Sequence, residues 1–250
     1  SQKPTPYNEA VSLIWYLENV FYHSFGNTYN YIQENIFNNK DFNNDLMSIG
    51  FWPGGDRDGN PFVTPEITLQ VAERLKQTIV KNYYKDIREL KRRLTFKGLE
   101  EKLTLIQENL HKDIFINSDD NNFSSEKLIE DLTEIKDLII KEHQSLYLNL
   151  VVSLINKVKL FGSYFASMDI RQDSRVHNNV FNKLVKSSIE NKLGLFPDNY
   201  FNFTESEQIK VLSNINGKIN LSYFSDELVL NTLNTIKVIK EIQINNGEKA

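Results

Sequence analysis

The apolar positions recur mainly at three- and four-residue steps, the period of a helix with one buried face. Ala10, Leu13, Ile14, Leu17, Val20 and Phe21 fall on one such face, with Asn8 as a candidate N-cap. The pattern extends over 7–37, and Gly26-Asn27 predicts an interruption that divides it into two consecutive helices. A second stripe, Ile67, Val71, Leu75, Ile79, Tyr83, Ile87, Leu90 and Leu94, predicts a long helix. Thr64 is its N-cap, Pro65 takes the first helical position, and Glu66 places negative charge against the helix dipole. The polar stretch 113–125 reads as a loop, followed by helical patterns over 126–160 that end at Gly162. Three further helical segments follow Asp173, one opened by a capping box at Thr204 and Glu207 and the last by Ser225.

Two short stretches, 46–52 and 164–170, read instead as strands, the first reached through an Asn/Asp-rich link at 38–45. No internal repeat or heptad array is present. The fold class predicted is therefore mainly α, with two short strands that each run into a charged motif. Loops at strand ends are where function concentrates.

Composition permits a folded protein and narrows its partners. At 250 residues the chain forms one large domain or two small ones, and 40% hydrophobic with 25% charged residues is ordinary for a globular protein. A net charge of −4 gives no global field for nucleic acid or an anionic membrane. With no cysteine there is neither a disulfide framework nor a thiolate nucleophile, which fits a cytoplasmic setting. The apolar run 146–160 is broken by Asn149, Ser153, Asn156, Lys157 and Lys159, short of the ~20 residues that span a bilayer. The first residues show neither an initiating Met nor an apolar signal segment, and both ends read as cut.

The stretch FWPGGDRDGNP at 51–61 concentrates glycine, proline and charge after the first strand. Asp56, Asp58 and Asn60 alternate like calcium-loop ligands, yet Pro61 and Ile67 stand where such a loop needs Gly and Glu. Gly54 and Gly59 have P-loop spacing, but Asn60-Pro61 replaces the Lys-Ser/Thr that reaches phosphate and magnesium. Two readings stay open. In one, paired glycines admit a small anion to the Arg57 fork while Asp56 and Asp58 hold that arginine in place. In the other, the stretch is a structural turn whose aspartates cap and pair.

The second strand end, MDIRQDS at 168–174, raises the same choice for Arg171: an internal salt bridge to Asp169 or Asp173, or an arginine facing a substrate. His23, His111 and His143 lack metal-ligand spacing, and His177 is placed to orient neighbours. The basic run 85–97 alternates with Asp86 and Glu89 and reads as a solvated helix face.

Taken together, KPTPYNEA at 3–10, WPGGDRDGNPFVTPEIT at 52–68 and MDIRQDS with the following His177 resemble phosphoenolpyruvate carboxylase, in order and approximate spacing, through essentially the whole chain. The resemblance implies a helix-rich central segment, 1–250, of an expanded (β/α)8-barrel enzyme, contributing one or two barrel strands. It implies carboxylation of phosphoenolpyruvate by bicarbonate to oxaloacetate and phosphate, with Mg2+ or Mn2+, in a cytoplasmic homotetramer.

By the same resemblance Arg171 holds substrate phosphate, supported by Gln172, while Trp52, Gly54, Gly55, Asp56 and Arg57 border the substrate and bicarbonate pocket. Asp173 departs from the family's usual Glu, Val176 from a common Arg with Arg175 one position earlier, and Phe51 and Pro53 flank Trp52 where smaller or more flexible residues are usual. The family's catalytic histidine motif belongs upstream, and its metal-binding acidic residues and arginine-glycine loop belong downstream; none of these motifs occurs in the 250 residues. The chain alone is accordingly expected to be inactive and to bind no catalytic metal. The competing expectation is a non-catalytic helical scaffold or interaction protein derived from that family.

Overall fold

A computed structural model describes residues 4–38, 40, 46–115, 123–217 and 220–250. Nine α-helices and two short strands occur among them: α1 (Pro6–Tyr16), α2 (Tyr22–Asn35), β1 (Gly50–Phe51), α3 (Pro65–Arg93), α4 (Leu99–Phe115), α5 (Ser125–Glu142), α6 (Leu148–Phe161), β2 (Ser167–Met168), α7 (Ser174–Glu190), α8 (Glu205–Asn214) and α9 (Glu227–Asn246). The helix-rich architecture is as the periodicity predicts. No described helix is long and apolar enough to cross a membrane.

Helix α3 is the central strut, packed by α1, α4, α6 and α9. Its start is the predicted one: Pro65 occupies the first turn and the Thr64 hydroxyl accepts from the Ile67 amide at 3.4 Å. Val71, Leu75, Ile79, Tyr83, Ile87, Leu90 and Leu94 are buried along the expected stripe. Where α3 meets α2 and α6, the Tyr22 ring stacks on Phe161 at 5.4 Å and Tyr83 donates to the Gly162 carbonyl at 2.8 Å. Asp86 there accepts from both the Tyr22 hydroxyl and Lys157 Nζ, each at 2.8 Å, and the Lys157 ammonium lies 4.6 Å from the Tyr22 ring centroid. A charged pair set against an aromatic ring thus ties three helices together.

The N-terminal helices depart from the simple pattern. Thr5, not Asn8, is the cap: its hydroxyl accepts from the Asn8 amide at 3.2 Å, and Pro6 opens the helix. The interruption falls at a π-helical segment, Leu17–Phe21, rather than at Gly26. A wider turn carries one residue more, so the buried face steps from Leu17 to Tyr22 and leaves Val20 and Phe21 exposed. Gly26 lies inside α2, where an added Cβ would stand 3.0 Å from the Lys157 chain; its small size serves helix contact.

The strands are shorter than predicted, two residues each. Helix α4 is an addition to the predicted elements and buries Leu99, Leu103, Ile106 and Leu110. The 126–160 pattern divides at residues 143–147, where Gln144, Ser145 and Tyr147 have positive φ. The last helix is capped by Asp226, whose carboxylate accepts from the Val229 amide at 3.1 Å, instead of by Ser225. The capping box of Thr204 and Glu207 is present. Of the predicted loop 113–125, residues 116–122 lie outside the described residues, as do 39 and 41–45 of the 38–45 link and Lys3 of the first motif.

Candidate functional site

Strands β1 and β2 pair in parallel, Gly50 with Ser167 and Phe51 with Met168. Parallel direction sends both chains out at the same end, so the two charged motifs emerge side by side. Ser167 N donates to Ile49 O and Asp169 N to Phe51 O, each at 2.9 Å. The first chain then turns aside: Gly55 N bonds back to Trp52 O at 2.8 Å, and Gly54 adopts φ +84°, which favours glycine. Pairing resumes beyond the turn. Arg171 N donates to Gly55 O at 2.9 Å, and Arg57 N donates to Arg171 O at 3.1 Å.

Gly55 makes this second meeting possible. A Cβ on it would stand 2.2 Å from the Asp169 carbonyl oxygen, inside any permitted contact. The far side of the turn is fastened to α3, since buried Thr68 donates its hydroxyl to Gly54 O at 2.6 Å. Asn60 N to Asp56 O and Val63 N to Asn60 O, both 3.1 Å, then lead the chain into the Thr64 cap.

Arg57 is half-buried, and its side chain leaves the loop for α9. Nη1 donates to Thr235 Oγ1 and Nη2 to Asn231 Oδ1, while buried Nε has no partner among the described residues. Burial pulls the guanidinium below its usual pKa. Among the described residues no carboxylate forms an ion pair with it. This corrects the expectation that Asp56 and Asp58 hold Arg57. Those two carboxyls turn to each other: a hydrogen bond with Asp58, then loss of solvent and the Asp58 charge, push Asp56 above the ordinary carboxylate range, opposed by Arg171.

The Arg171 side chain is 57% exposed and pairs with Asp169 at 3.0 Å, one of the two internal salt bridges weighed for it. Gln172 Oε1 accepts from Asp173 N at 2.9 Å and braces the start of α7. Asp173 caps that helix, accepting from Arg175 N at 2.7 Å, and its carboxylate also binds the Arg175 guanidinium. Those hydrogen bonds hold Asp173 down to about pKa 2. Trp52 is 52% exposed on the turn, and His177 is exposed on α7.

The structure thus brings Trp52, Gly54, Gly55, Asp56, Arg57, Arg171 and Gln172 into one backbone-linked patch. It adds Asn231 and Thr235, which lie in an unremarkable helical pattern that carries no local signal. Elsewhere, the basic run on α3 is exposed and pairs internally, Lys85 with Glu18 at 2.7 Å and Arg93 with Glu89 at 3.0 Å. His143 stacks on Phe96 at 4.9 Å. Among the described residues no three His, Cys, Asp or Glu side chains converge as a metal-ligand group, so no step through a metal is derived from them.

Two loops at the carboxyl ends of adjacent parallel strands, backed by helices, define a mainly helical chain with its candidate site where parallel-sheet enzymes carry theirs. The family model for phosphoenolpyruvate carboxylase matches residues 1–115 and 93–250, and the chain belongs to that family. Among similar proteins, the phosphoenolpyruvate carboxylase of Shewanella loihica is 25% identical over 217 residues, 74% of this chain and 25% of its own length. That of Aeromonas hydrophila is 26% identical over 224 residues, covering 76% and 24%. That of Shewanella sediminis is 25% identical over 252 residues, covering 87% and 28%. The chain spans about a quarter of the length of these curated relatives.

Proposed function

We propose that residues 1–250 form the central segment of a phosphoenolpyruvate carboxylase, supplying two arginine-bearing loops to its active site. The observation that carries this reading is the backbone pairing of Gly55 and Arg57 with Arg171, which sets both arginines at one end of a parallel strand pair. In the complete enzyme those strands belong to an expanded (β/α)8 barrel.

The reaction joins phosphoenolpyruvate and bicarbonate. Bicarbonate oxygen attacks phosphorus, giving carboxyphosphate and the enolate of pyruvate; carboxyphosphate releases CO2 and phosphate, and the enolate carbon attacks CO2 to give oxaloacetate. Every species but CO2 is anionic, so fixed positive charge at the reacting groups lowers the barrier. Arg171 is exposed and its counter-ion Asp169 is equally exposed, so an incoming phosphate displaces a weak surface pair. Among the described residues Arg57 has only neutral partners, which leaves its charge uncompensated for bicarbonate or phosphate. Trp52 borders the turn, and Gln172 supports the second loop. The family's magnesium or manganese ion supplies further charge neutralisation when bound, and it is assigned to no residue of this chain.

The test is bicarbonate-dependent oxaloacetate formation from phosphoenolpyruvate by the complete protein carrying this segment, with the 250-residue chain as comparison. Activity in the first and none in the second is expected. Magnesium-dependent oxaloacetate from the chain alone would overturn its expected inactivity. A rival reading, a non-catalytic scaffold, is favoured by the partners that both guanidinium groups already hold. An inactive complete protein decides for the scaffold.

A further inference from the structure

We infer that Asn231 and Thr235 on α9 are positioning residues that fix the plane in which Arg57 meets an anion. The inference rests on the reading of Arg57 as an anion-binding group. A guanidinium has five N–H donors in a rigid plane, and a single hydrogen bond leaves that plane free to rotate. Here Nη1 is held by Thr235 and Nη2 by Asn231, one helical turn apart on α9, so two anchors remove the rotation.

The Thr235 anchor is itself fixed. Its side chain is buried, and its hydroxyl hydrogen is committed to the Asn231 carbonyl at 2.9 Å, which leaves the oxygen to accept from Arg57. The other end of Arg57 is fixed too, by the hydrogen bond that its backbone N–H donates to Arg171 O. Both anchors are neutral, although three aspartates, Asp56, Asp58 and Asp169, stand on the same two loops. An arginine serving the fold alone is best paired with one of those carboxylates, because half-burying an uncompensated charge is unfavourable. Instead Asp56 faces Asp58, and Asp169 takes Arg171. The geometry of Arg57 is therefore set without neutralising it, and each Nη keeps one hydrogen beyond its anchor.

The test uses the complete protein carrying this segment, with each tryptophan other than Trp52 on the glycine turn replaced by Phe. Its fluorescence is followed while inorganic phosphate or phosphoenolpyruvate is titrated, alongside the thermal midpoint. Thr235→Val keeps the shape and loses the acceptor; Thr235→Ser keeps the hydroxyl; Asn231→Leu removes the second anchor. A saturable response is expected, weakened about tenfold or more in T235V and N231L and kept within about twofold in T235S, in line with losing a hydrogen bond to a charged group. Thermal midpoints of T235V and T235S that agree while their affinities differ separate positioning from mere stability.

Affinities of T235V and N231L equal to that of the parent overturn the inference. So does equal weakening in T235V and T235S, or the absence of any saturable response. Arg57→Gln distinguishes the two claims. If R57Q binds as tightly as the parent, the anion-binding reading of Arg57 itself fails; if R57Q loses binding while T235V and N231L keep it, only the role of α9 fails.

Discussion

The amide of Arg57 donates to the carbonyl of Arg171 across 3.1 Å, joining by main chain two arginines that are far apart in sequence. The link uses no side-chain atom of either residue. The two loops therefore stay together whatever their guanidinium groups do, and this separates the stability of the site from its chemistry.

Arg171→Ala tests that separation. Its side chain makes one exposed pair with Asp169, a contact worth about 0–1 kcal/mol, so urea unfolding of the variant chain is expected to shift by no more than that. If the complete protein is the carboxylase proposed above, the same change in it is expected to lower turnover by about 3 kcal/mol of barrier, the scale of losing one electrostatic stabiliser. Unaltered kinetics with an intact fold would return Arg171 to a purely structural role.

Gly55→Ala should act in the opposite way. The new methyl meets the Asp169 carbonyl at 2.2 Å, and both atoms belong to main chain that is held on either side. A loss of about 1–3 kcal/mol is expected from this overpacking, read as a lower denaturation midpoint. Gly50→Ala is the control, because among the described residues nothing stands within 4 Å of a Cβ there.

Lys157→Met should destabilise the chain by about 3–5 kcal/mol, since it strands the Asp86 carboxylate among Tyr22 and the α3–α6 contact. The Asp86 side chain left behind is 24% exposed, so water compensates its charge only in part. Adding Asp86→Leu to that variant is expected to restore much of the loss, as two apolar groups replace a broken pair. Chemical denaturation of the single and double variants measures both steps.

Asp173 gives a pH prediction. Its folded pKa, about 2, lies below the ~3.9 of an unfolded aspartate, held there by the Arg175 side chain and amide. The carboxylate is therefore favoured by folding: its contribution is present above pH ~4 and is lost as pH falls through about 2. Carboxyl carbon shifts followed from pH 6 to pH 1.5 should show Asp173 titrating last among the exposed aspartates, and Arg175→Ala should move it upward. An Asp173 midpoint near 4 in the parent chain would contradict the capping geometry.

Much of this structure is legible in the residue pattern, for physical reasons that also explain what is not. Thr64-Pro65-Glu66 reads correctly because capping is a local contest, settled within one turn by the residues themselves. The α3 stripe reads correctly because its period is sustained from Val71 to Leu94. The turn around Gly54 announces itself through glycine and proline, whose backbone needs are intrinsic. Strand ends are harder: only Gly50–Phe51 and Ser167–Met168 pair, because pairing depends on where a distant partner turns away. The partners of Arg57 lie more than 170 residues away and carry no local signal. Asp56 and Asp58 are neighbours in sequence, but the fold delivers α9 to the guanidinium and turns the two carboxyls to each other.

The π-helical segment Leu17–Phe21 has a consequence for how the gene tolerates change. Buried positions run 10, 14, 17 and then 22, 26, 29, 33, so the single five-residue step behaves as one surplus codon in an otherwise regular helix. Removing exposed Asn19 converts that step to four and leaves Ala10, Ile14 and Leu17 on one side and Tyr22, Gly26 and Tyr29 on the other facing as they do now. A deletion that shifts the register of an ordinary helix would here restore one, marking this turn as a place where the chain can shorten without losing its face.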